Sequence, residues 1–62
     1  MNVRDTILQR LNEGKSIENQ LGYYRLIKYG LMKQQKYDEA KPYRELDKEC
    51  VKILKELNNG YE

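Results

Sequence analysis

At 62 residues the chain has room for one domain. Ordering it costs roughly 1.5 kcal/mol per residue against apolar burial worth about 25 cal/mol per Å², a balance near zero that small proteins tip with disulfides, a metal or a partner chain. A single cysteine, Cys50, excludes an internal disulfide, and the lack of histidine removes most zinc-ligand sets, so a partner chain is the expected support.

Charged residues make up 35% and hydrophobic residues 39%, too apolar for simple disorder and too polar for a membrane-spanning helix. The net charge is only +2, but residues 23–44 hold six basic and two acidic residues, whereas residues 1–22 balance and residues 45–62 are net acidic. No apolar stretch follows Met1-Asn2-Val3-Arg4-Asp5 as in an export signal, and a lone thiol suits a reducing compartment, so a cytoplasmic location is expected.

Strands are not expected, because no segment keeps a period-2 alternation and phenylalanine and tryptophan are absent. Val3, Ile7 and Leu11 recur every four residues beside Leu8, and Gly14 supplies a helix-ending left-handed residue, which predicts a first helix over about 3–13. Ser16 stands where an N-cap belongs and Glu18 suits a positive first turn, opening a second helix over about 16–35. Its main stripe is Ile17, Leu21, Tyr24, Ile27 and Leu31. Near the opposite side lie Gly22, Tyr23, Leu26, Tyr29 and Gly30. Two interior glycines cost about 1 kcal/mol each, and close approach of another helix is the physical reason to keep them. Apolar on two sides, this helix is expected to contact the first helix on one side and the third helix or a partner on the other.

Pro42 forces a break within 34–42. Asp38 as a cap, with Pro42 just beyond the first turn, is preferred to a third helix starting at Pro42. Tyr43, Leu46, Cys50, Ile53 and Leu57 then follow 3, 4, 3, 4 spacing with Leu54 alongside and Gly60 beyond the last turn, predicting a third helix over about 39–58. The expected fold is all-α: one mini-domain over 1–62, a helical hairpin or three-helix unit with a short first helix and two longer antiparallel ones, associating into a bundle. The third-helix stripe serves as core or as a self-association seam.

Catalysis finds no support, since there is no histidine base, nucleophile motif or glycine-rich phosphate loop. Cys50, in mid-stripe, reads as a small core residue. No cofactor, metal or small-molecule substrate is expected. The distinctive region is the middle, which holds five of the six tyrosines among its basic residues. Tyrosine with arginine marks protein-interface hot spots, and Tyr23, Arg25, Leu26, Tyr29, Lys33 and Lys36 are the expected partner-binding residues. Cations with stackable rings also suit nucleic acid, which Arg25, Lys28, Lys33, Lys36, Lys41 and Arg44 would bind, although interleaved acids and a pI near 8.7 argue against strong affinity.

Two local resemblances bear on function. Tyr37-Asp38-Glu39-Ala40 between two helices resembles the joint of a tetratricopeptide repeat, but one unit is present where stacking needs about three. Glu45-Leu46-Asp47 on the second helix of a hairpin is similar to the core of the small aspartyl-phosphate phosphatases of sporulation control, with Tyr43-Arg44 where that family carries a serine-glutamine pair; it implies action on a phospho-aspartate partner through Asp47. Neither covers more than a few residues or identifies a family. The principal expectation is a small non-catalytic regulator, adaptor or inhibitor that docks on a protein partner and forms a homodimer.

Overall fold

The computed structural model describes residues 2–59, with the side chain of residue 59 outside the description. It contains three helices, α1 (Val3–Asn12), α2 (Ile17–Lys33) and α3 (Tyr37–Asn59), and no strand among the described residues. The fold is an all-α three-helix unit in which α2 and α3 form an antiparallel hairpin and α1 packs across both. No helix among the described residues is long and apolar enough to cross a membrane.

Local chemistry sets the helix ends. The Asn2 side chain accepts from the Asp5 amide at 2.9 Å and Ser16 Oγ accepts from the Asn19 amide at 3.2 Å, so α1 and α2 each start on a side-chain cap. Both end in the same hydrogen-bond pattern. After α1 the Lys15 amide donates to the Arg10 carbonyl and the Gly14 amide to that of Leu11, with Gly14 at φ 91°. After α2 the Lys36 amide donates to Leu31 and the Gln35 amide to Met32, with Gln35 at φ 62°. Each is a Schellman closure, which needs a left-handed residue. Glycine fills the role once and glutamine the other time.

The third helix departs from its expected start. It begins at Tyr37, and the Ala40 amide reaches back to the Lys36 carbonyl at 3.1 Å, so Lys36 occupies the capping position and Asp38 lies inside the first turn. Pro42 is thus an interior residue. The bond it forfeits would go to the Asp38 carbonyl, and both residues are exposed, so water can serve that oxygen. Gly60, the expected terminator, lies outside the described residues.

The core unites Ile7 of α1, Ile17 and Tyr24 of α2, and Cys50 and Ile53 of α3, with Val3, Leu21, Tyr43, Leu46 and Leu54 packed around them. Tyr24 brings its polar tip inside. Its hydroxyl accepts from the Arg10 guanidinium and donates to Gln20 Oε1 at 3.0 Å, while Gln20 Nε2 donates to the carbonyls of Ile7 and Lys15 at 3.3 and 3.0 Å. No buried side-chain nitrogen or oxygen among the described residues lacks a partner. Arg4 binds α1 to α3 through the half-buried Glu49 at 3.1 Å and the exposed Glu56 at 2.8 Å, surface contacts that orient more than they stabilise.

Candidate protein-docking face

In the main stripe of α2, Ile17 and Tyr24 are buried in the core with Leu21 packed on it, and Ile27 and Leu31 are half-buried; α1 and α3 pack on this side. The strip opposite, expected to meet a neighbour, receives no helix among the described residues. Leu26 is 74% exposed, Tyr23 59% and Tyr29 58%. Gly22 and Gly30 are exposed too, and a Cβ built on either finds nothing within 4 Å. Close approach inside the protein therefore does not explain them.

The two rings are held in place from behind. Tyr23 stands edge-on to the buried Tyr24 ring with centroids 5.9 Å apart, and the Lys28 ammonium lies 4.7 Å from the centroid of Tyr29. Such contacts reduce the rotamer freedom that a binding event would otherwise remove. On its α1 side Tyr23 borders an open cleft of about 420 Å³ that also includes Arg10, Lys15, Asn19 and Gln20, so the ring is accessible along its flank as well as from outside.

The remaining residues expected to bind a partner divide. Lys33 closes the exposed strip at the last turn of α2, but Lys36 lies beyond that helix, in the turn to α3. Arg25 turns away toward α3, where its Nε donates to both oxygens of Asp47 at 3.1 and 3.2 Å, leaving its side chain about half exposed. Lys28 Nζ approaches the same carboxylate at 2.6 Å. Asp47 is only 6% exposed. Its burial favours the neutral acid, but the hydrogen bonds and charges of Lys28 and Arg25 prevail and hold its pKa below the ordinary carboxylate value. Two of the six cations considered for nucleic acid are thus engaged with an internal acid, while Lys33, Lys36, Lys41 and Arg44 remain exposed.

The Asp47 cluster was not anticipated from the sequence, although the helix wheel holds a partial signal for it. Lys28 falls within the angular range of the α2 core stripe, and Asp47 lies at the border of the α3 stripe, about 20° past Leu54, where a carboxylate can reach a cation on the facing helix. In the α3 stripe itself, Cys50 and Ile53 are buried and Tyr43 and Leu46 pack on them, so these positions serve as core; Leu57 is 52% exposed. Burial, with the Asp47 and Glu49 carboxylates adding to it, pushes the Cys50 thiol up to about 11, and it is a protonated packing residue at neutral pH. Among the described residues no three histidine, cysteine, aspartate or glutamate side chains gather to hold a metal ion. Comparison with protein-family models, curated proteins and solved structures found no match to this chain.

Proposed function

We propose that the protein is a non-catalytic binding module, a small regulator, adaptor or inhibitor that docks on another protein through the outer face of α2. The observation that supports this reading is the combination of Tyr23, Leu26 and Tyr29, each more than half exposed, with two glycines open to solvent on the same face. Large apolar and aromatic side chains clustered on one helix face supply the anchors of helix-in-groove and helix-on-helix recognition. The charges flanking the face are few, and the ion pairs that Arg25 and Lys28 make with Asp47 reduce the cationic surface that phosphate contacts would need.

The test uses a photo-crosslinking residue at position 26, with position 52 on the outer side of α3 as control, in cells producing the protein. The expected adducts form from position 26 only, survive nuclease and are destroyed by protease. The protein they contain, once identified and purified, should lose at least about tenfold in affinity for Leu26→Asp and respond weakly to salt. Nuclease-sensitive adducts, or binding indifferent to Leu26→Asp, would overturn the proposal.

A further inference from the structure

We infer that the outer face of α2 takes the same face of a second copy, crossed antiparallel about Leu26. The inference rests on the docking role just proposed and names its occupant. It comes from the positions of large, small and charged residues relative to Leu26, taken with about 100° and 1.5 Å per residue. Tyr23 and Gly30 lie to one side of Leu26, about 60° and 40° around the helix. Tyr29 and Gly22 lie to the other side by the same angles. A two-fold axis through Leu26, perpendicular to the helix, keeps each residue on its flank and reverses its level. Tyr23, about 4.5 Å below Leu26, then meets Gly30 of the second copy at about 6 Å below, and Tyr29 meets Gly22 of the second copy above. Every projecting ring is opposite a missing side chain. This gives the two glycines a purpose that nothing in their own chain supplies, since the space above each is open.

Size alone does not fix the direction, because a parallel pairing would also seat the rings on glycines. Charge decides it. In the antiparallel pair Lys33, in the last turn of α2, lies on the same flank and nearly the same level as Glu18 of the second copy, in its first turn. In the parallel pair, whose axis exchanges the flanks, Lys33 would stand beside Lys33, a like-charge contact, and Glu18, about 80° around from Leu26, would lie on the far flank from its own copy and out of reach of any compensating lysine. Antiparallel helices also align their macrodipoles favourably. The contacts that brace Tyr23 and Tyr29 from behind leave little to be ordered on association.

The experiment is sedimentation equilibrium of the full chain over a wide dilution series, with thermal unfolding followed by circular dichroism on each variant. The wild type is expected to form a reversible dimer. Lys33→Glu and Glu18→Lys should each weaken it about tenfold, and a one-to-one mixture of the two variants should restore it, because each chain then offers the charge the other lacks. Gly22→Gln with Gly30→Gln should remove the dimer while raising the melting temperature of the monomer by several degrees, since both glycines disfavour the helix and neither has a neighbour in its own chain. A loss of association caused by misfolding would lower that temperature instead, and the mixing experiment would still decide the question. A wild type that stays monomeric throughout, or a dimer indifferent to the glycine replacements and to mixing, overturns the inference. If a monomeric chain still yields position-26 adducts with a different protein, the copy is ruled out and the docking function stands; if position 26 yields no protein adduct, both fall.

Discussion

Replacing Asp47 by Asn removes one negative charge and almost no volume. The carboxylate is nearly enclosed and accepts from Lys28 Nζ at 2.6 Å and from Arg25 Nε at 3.1 and 3.2 Å. Without it the Lys28 ammonium, on a side chain only 15% exposed, loses its counter-charge, whereas Arg25 can turn to solvent. Removing one member of a buried pair costs about 3–5 kcal/mol; with one cation half exposed, about 2–3 kcal/mol is expected here. In a domain this small that lowers the melting temperature by roughly 10–20 °C. The effect should also have a particular pH dependence. Asp47 titrates below its ordinary value in the fold, so the unfolded chain binds the extra proton first as pH falls. The stability it contributes is complete well above the unfolded carboxylate pKa of about 3.9 and disappears as pH falls through the lower folded value. Urea unfolding of wild type and Asp47→Asn from pH 7 to pH 2.5, followed by circular dichroism, measures both. A difference under about 0.5 kcal/mol at pH 7, or one that fails to shrink in acid, would refute the reasoning.

Two further outcomes follow from the hairpin. Cys50 is fully buried and its thiol is pushed up to about 11, so a thiol-specific reagent at pH 8 should label it only as fast as the chain opens, and urea should release it to ordinary reactivity; rapid labelling of the native protein would contradict the burial. Gln35 holds a left-handed conformation that costs an L-residue about 1 kcal/mol, so Gln35→Gly should stabilise the protein by about 0.5 kcal/mol net of the added chain entropy, measured by the shift in urea midpoint.

Periodicity and punctuation made most of this fold legible. Gly14 and Ser16 marked the first turn because each is the residue type its position calls for. The second turn was obscured because a glutamine occupies the left-handed position, while Pro42, the strongest breaker in the chain, is tolerated inside α3 where its lost bond faces water. The apolar strip around Leu26 was visible on the helix wheel, but its exposure was not, since periodicity shows that a face is apolar and not whether α1 reaches it. Arg25 looked like a surface residue by angle. Its reach to Asp47 depends on how α3 lies along α2, a long-range relation that spacing within one helix does not encode.

That relation has a consequence for how many ways the hairpin can be assembled. Aliphatic stripes spaced by three and four are tolerant of sliding, because moving one helix by a turn brings another apolar residue to nearly the same place. A charge is not tolerant in this way. A one-turn slide of about 5.4 Å would carry Asp47 away from Lys28 and Arg25 and leave it facing hydrocarbon, so the carboxylate acts as a detent that admits one alignment of α3 on α2.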